Sequence, residues 1–180
     1  MYDESEFLIV NNSKLVKVGT MDDVYILEKV AKDEIESILV IQSCVPKIKE
    51  FSYNLRYNQN SLTSPYMKAF EMLLIQLVYF TINSESTDPF MCDGYPKKKH
   101  QKYLREIKVI DLLIDILIYP FEGENSFLDL SQLTQRSPMT RVCQLIYRLI
   151  KHYVKDNEFN KFYAAQWISH FFHQNMMTTD

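Results

Sequence analysis

Six cations crowd into residues 97–108: Lys97, Lys98, Lys99, Lys102, Arg105 and Lys108. Wound into a helix, Lys98, Lys102 and Arg105 stand at i, i+4 and i+7 and share an arc of roughly 60°. Tyr103, Leu104, Ile107 and Ile110 fall on the other side. The pattern predicts a helix with its apolar side turned inward and a narrow cationic stripe turned outward. Like charges that close repel one another unless an anion lies between them. A compact polyanion such as a phosphorylated sugar or inositol meets that need through charge-assisted hydrogen bonds. A solvated basic face is the plain alternative, since lysines are mostly exposed whatever their role.

Other constellations carry less. His170 and His173 share a helix face, but a metal site needs more ligands, and no Cys, Asp or Glu stands at a supporting spacing. They are expected to be surface histidines. Asp111 and Asp115, at i and i+4, lack the nucleophile, histidine or glycine-rich loop that would make them a catalytic pair, and read as a solvated face. Phe159, Phe162, Tyr163, Trp167, Phe171 and Phe172 read as core and interface packing. The sequence holds no Walker-type, Rossmann-type or G-x-S-x-G motif. The expected chemistry is binding, not catalysis, with no cofactor and no metal.

The elements that position the stripe must be mostly helices. The chain has 180 residues, enough for one compact domain and part of another, and its 47% hydrophobic and 24% charged content suits a globular fold. With only 3 glycines, a β-sandwich or barrel would lack turn residues. The formal net charge of −3 argues against nucleic-acid binding. Cys44, Cys92 and Cys143 form an odd, widely spaced set, which fits free thiols in a reducing compartment. The opening residues are acidic and polar, unlike a signal peptide. The longest apolar stretches, such as residues 109–119, carry Asp111 and Asp115 and are too short for a bilayer. A soluble segment is expected, with any membrane attachment elsewhere in a parent protein.

Residues 7–10, 15–18 and 24–27 are short β-prone runs separated by Asn11-Asn12-Ser13 and Met21-Asp22-Asp23. Three such strands cannot close a core alone and read as the end of a β domain. From about residue 31 the pattern turns helical. Pro46 fits if Ser43 caps a new helix that runs to about Tyr57. Ser64-Pro65 opens the next, with Met67, Phe70, Leu74, Leu77, Val78 and Thr81 on one face. Residues 83–96 form a loop. Helix resumes near Lys97 and continues, with a kink, to about Ile118, where Tyr119-Pro120 ends it. After a polar loop containing Gly123, Ser137-Pro138 opens a helix carrying Val142, Leu145, Ile146, Leu149 and Ile150, and a last helix covers about residues 160–173. Successive helices with short breaks suit an armadillo-like stack.

Four stretches carry a family likeness: Leu15-Val16-Lys17-Val18-Gly19-Thr20, Leu77-Val78-Tyr79-Phe80, Gln101-Lys102-Tyr103-Leu104-Arg105-Glu106 with the apolar run to Pro120-Phe121, and Arg141-Val142-Cys143-Gln144-Leu145-Ile146-Tyr147-Arg148. In order and spacing they resemble the N-terminal ligand-binding region of inositol trisphosphate receptors. The first is similar to a strand near the end of that family's second β-trefoil. The others are similar to helices of the domain it shares with ryanodine receptors. Each stretch is weak alone, and together they span almost the whole chain.

The resemblance implies a mainly α fold. Residues 1–30 would be the C-terminal strands of a β-trefoil and residues 31–180 an armadillo-like homology domain. It implies inositol trisphosphate as the ligand, held in a cleft between trefoil and helices, with Lys98, Lys102 and Arg105 at matching cationic positions. The family follows its Tyr-Arg helix with a Tyr-Arg-Lys element. A four-residue gap brings Tyr153-Val154-Lys155 to it and adds Tyr153 and Lys155 to the site, whereas ungapped positions fall on Asn157-Glu158-Phe159, and matching residues 162–167 favours a one-residue gap. The parent would be a homotetrameric calcium-release channel of the endoplasmic reticulum membrane, its ligand-binding region on the cytosolic face. The rival reading is an armadillo-type scaffold that binds neighbouring domains and no inositol phosphate.

Overall fold

Apolar residues at helical spacing organise most of the chain, and the computed structural model, which describes residues 9–10, 13–17, 25–120 and 138–167, is accordingly a mainly α stack of the armadillo-like kind. The chain divides into two compact units, residues 1–40 and 41–180. In the first, β1 (Ile9–Val10), β2 (Ser13–Lys17) and β3 (Tyr25–Lys29) form an antiparallel sheet in chain order, with Leu15 opposite Leu27 and Val16 opposite Ile26. The expected turns at Asn11-Asn12 and residues 21–23 lie outside the described residues.

Helix α1 (Lys32–Tyr57) continues without a break at Ser43. The expected second start there is therefore wrong, and Pro46 lies inside the helix. Proline forfeits one backbone hydrogen bond and costs about 3 kcal/mol in a helix interior. Ile41, Cys44, Ile48, Phe51 and Leu55 are all buried along one side of α1, and that continuous apolar face offsets the defect.

In the second unit, α2 (Ser64–Thr81) begins at the expected Ser64-Pro65, and its expected apolar face is buried throughout, with Leu73 added. The loop that follows is closed by two short antiparallel strands, β4 (Ile82–Asn83) and β5 (Tyr95–Pro96). The basic segment forms α3 (Lys98–Glu106), and α4 (Val109–Ile118) follows. The expected kink falls between them, where Lys108 adopts a left-handed φ of 60°. Helix α5 (Pro138–Val154) buries Val142, Leu145, Ile146, Leu149 and Ile150 as expected and packs against α2, α3, α4 and α6 (Glu158–Ala164). A 3-10 turn at Ala165–Trp167 follows α6, and the rest of the expected last helix, with His170, His173, Phe171 and Phe172, lies outside the described residues. All three cysteines are free and buried.

Candidate functional site

Helix α5 ends in a cluster of backbone carbonyls that its own hydrogen-bond ladder cannot use. Side chains of α3 and α6 take up most of them. The Gln101 amide donates to His152 O and Lys155 O, both at 2.8 Å. The Asn160 amide donates to Tyr153 O at 2.9 Å, the Asn157 backbone to Val154 O at 3.2 Å, and Lys98 Nζ to Asp156 O. Asp156 itself turns the chain with a left-handed φ of 54°, a conformation Asp tolerates better than most residues. Asn157 then caps α6, its side chain accepting from Asn160 N at 3.1 Å, and donates to Gln101 Oε1 at 3.0 Å.

The N-terminal turn of α3 closes the end of α2 in the same way. Lys97 N donates to Thr81 O at 2.9 Å and Lys97 Nζ to Tyr79 O at 3.5 Å. His100 Nδ1 lies 2.6 Å from Phe80 O while its ring stacks on Phe80 at 3.9 Å. Burial holds the His100 imidazole below its ordinary pKa, so the neutral tautomer with a proton on Nδ1 fits this contact.

The expected ligand residues are distributed as follows. Lys98 is exposed, with its ammonium on the α5–α6 turn. Lys102 is half-buried on the same helix. Arg105 is also half-buried, donating to Asn160 Oδ1 at 2.7 Å and Glu106 Oε1 at 2.8 Å, with its guanidinium 4.2 Å from the Phe159 ring centroid. Lys155 donates to Gly94 O at 2.9 Å and Asp93 Oδ1 at 3.3 Å. Lys155 and the nearby Lys151 hold the Asp93 carboxyl below its usual pKa. Lys98, Arg105 and Lys155 thus meet at one corner, around the turn from α5 into α6. Tyr153 does not join them at the surface: it is fully buried, burial raises its pKa strongly, and its hydroxyl has no hydrogen-bond partner among the described residues.

Three expectations about the stripe and its surroundings need correction. Its cations are not simply turned outward, because the carbonyl-rich ends of α2 and α5 carry partial negative charge and draw them in. Phe159 and Phe162 are not core residues: they are 63% and 85% exposed. Asp111 is also more than a solvated face, since it accepts from Tyr163 at 2.8 Å while Lys108 donates to the same hydroxyl at 3.1 Å. Asp115 pairs with Arg56 at 3.1 Å.

Gln101, Asn157 and Asn160 do the positioning, and sequence reasoning missed all three. The available signal was Gln101 between two inward-facing stretches and an Asn-x-x-Asn capping pattern. Among the described residues no cluster of three or more metal-ligating side chains occurs, and no helix is long and apolar enough to cross a membrane. An open groove of about 380 Å³ between α1 and α2, lined by Lys47, Glu50, Tyr66, Phe70 and Gln76, contains none of the expected ligand residues. Residues 71–179, more than half of the chain and the whole of the α3–α5–α6 corner, match the RIH domain, and the chain belongs to that family, the domain of ryanodine and inositol trisphosphate receptors.

Proposed function

We propose that this chain supplies the helical half of a phosphorylated-inositol site in an intracellular calcium-release channel. The single observation that supports this reading is the gathering of Lys98, Arg105 and Lys155 at one corner, with Lys102 on the same helix as the first two. Inositol trisphosphate is the proposed ligand, and residues 1–30 are proposed to end a β-trefoil. Binding of the ligand would favour one of two states of the parent, a homotetramer in the endoplasmic reticulum membrane. Tyr153 acts in this reading through its carbonyl, which accepts from Asn160, and not through its hydroxyl.

The test uses the parent receptor. Lys102→Gln is expected to weaken inositol trisphosphate binding by about 1.5–3 kcal/mol, the worth of a hydrogen bond to a charged group. Arg105→Gln should cost at least as much. The 180-residue chain alone should bind only in the millimolar range, because a handful of charged contacts is largely offset by ordering and lost ligand motion. Unchanged binding by a folded Lys102→Gln, Arg105→Gln double variant would refute the site.

A second reading has its own observation. Lys98, Arg105 and Lys155 already hold the ends of this domain's own elements. In that case the chain is an interaction scaffold, and the double variant loses stability without losing inositol phosphate binding.

A further inference from the structure

Phe159 and Phe162 stand in solvent beside the basic corner. They are 63% and 85% exposed and, at i and i+3 on α6, share a face. Two large rings left side by side in water are costly unless something covers them. Cations lie close by. The Arg105 guanidinium lies over Phe159 at 4.2 Å. Of the nearby carboxylates, Glu158 is paired with Lys161 at 2.6 Å, Glu106 with Arg105 at 2.8 Å, and Asp93 with both Lys155 at 3.3 Å and Lys151 at 3.6 Å, while Asp156 on the turn is exposed and makes no ion pair among the described residues. Asp93 thus has one lysine in surplus. Lys98, also exposed, makes no ion pair among the described residues.

Exposed aromatics framed by surplus cations match the chemistry of an anionic bilayer surface, where rings enter the boundary between headgroups and acyl chains while ammonium and guanidinium groups hold phosphates. A purely aqueous anion needs the cations but gives the rings nothing. We propose that this corner is a membrane-contact face, in which Phe159 and Phe162 enter the interface of a leaflet bearing phosphorylated inositol lipids and Lys98, Lys102 and Arg105 bind the headgroup phosphates. The headgroup assignment rests on the inositol phosphate reading above, and the role of the rings does not.

The test is sedimentation of the 180-residue chain with vesicles of phosphatidylcholine alone, with added phosphatidylserine, or with added phosphatidylinositol bisphosphate. Binding is expected to be strongest on the last, weaker on the second and absent on the first. Phe162→Ser should lower it about tenfold, the loss of partial burial of one aromatic side chain, with circular dichroism unchanged, and Phe159→Ser should act in the same direction. In the parent receptor, Phe162→Ser should leave soluble inositol trisphosphate affinity unaltered, whereas Lys102→Gln should weaken both activities.

No binding to any vesicle, or equal binding by Phe162→Ser, overturns the proposal even if soluble inositol trisphosphate still binds. Vesicle binding that survives in a receptor unable to bind the soluble ligand removes the earlier reading and keeps this one. A lipid-independent dimer that Phe162→Ser dissociates would assign the rings to a second copy of the chain and also overturn it.

Discussion

If Gln101 is the clamp between α3 and the end of α5, removing its amide should loosen that end specifically. The side chain is fully buried and makes three hydrogen bonds, donating to His152 O and Lys155 O at 2.8 Å and accepting from Asn157 at 3.0 Å. Gln101→Leu keeps most of the volume and deletes all three. His152 O is buried and gains no water, which costs about 1–3 kcal/mol. The Lys155 carbonyl and the Asn157 amide are only part-buried, and solvent can partly replace their bonds, at about 0.5 kcal/mol each. The expected loss is about 2–4 kcal/mol. Gln101→Ala adds a cavity and should lose roughly 1 kcal/mol more. The assay is urea unfolding paired with hydrogen exchange, in which amides of α5's last turn and of α6 should lose protection before those of α2. A Gln101→Leu protein within about 0.5 kcal/mol of the parent sequence, with protection unchanged around residues 152–160, would show that the α5 carbonyls do not depend on this clamp.

Other perturbations test the surroundings. His152 is buried with Nε2 3.8 Å from Cys92 Sγ, and burial, reinforced by Arg148, lowers its pKa to about 4. Its folded pKa lies below the unfolded value, so the unfolded chain binds the proton more readily. Stability should be complete above about pH 6.5 and fall by about 3 kcal/mol as the pH drops towards 4; the His152→Phe protein should lack that dependence in acid melts. Gly94 lies against the Asn83 carbonyl of the β4–β5 pair so closely that a Cβ would collide with it. Gly94→Ala should lower stability by about 1–3 kcal/mol, as overpacking does, and release Lys155, and a thermal melt with no shift would contradict the close approach. Arg141 joins Glu71 of α2 and lies 4.8 Å from the Phe90 ring. Arg141→Ala should cost only about 1 kcal/mol because the pair is partly exposed, but should raise protease sensitivity in residues 84–92.

Elements whose partner is apolar were legible in the sequence, and those whose partner is a backbone carbonyl were not. The buried faces of α2 and α5 follow from side chains at helical spacing, because burial selects residue types that can be read one by one. Helix α1 was misread because proline is a strong local signal, yet the apolar face from Ile41 to Leu55 outweighs it. The cations of α3 could be named from the sequence, and their setting could not. Gln101 and Lys98 bind carbonyls, and every residue carries one, so no spacing announces which helix end they serve. Phe159 and Phe162 look like core residues by type, and only the course of α6 leaves them in solvent.

The position of α3 also bears on whether its cations can serve a ligand at all. The helix meets the C-terminal ends of both α2 and α5, where unsatisfied carbonyls concentrate negative potential, and this alone would favour a basic sequence. Capping does not exhaust the donors, however. An ammonium has three N–H groups and a guanidinium five; among the described residues Lys98 spends one, on Asp156 O, and Arg105 two, on Asn160 and Glu106. The remaining N–H groups belong to side chains that the capping contacts have already ordered. Ordering a long side chain at binding costs about 0.5–1.5 kcal/mol, comparable to the net gain from many single hydrogen bonds. A phosphate arriving at Lys98 or Arg105 finds that cost largely met by the fold. It must still share each cation with a carbonyl or carboxylate oxygen, which weakens the attraction without abolishing it. A capping role and a ligand role therefore reinforce each other in geometry while competing in charge. Gln101 separates the two, because its side chain is fully buried and its hydrogen bonds run to the α5–α6 turn: Gln101→Leu should change stability far more than anion affinity.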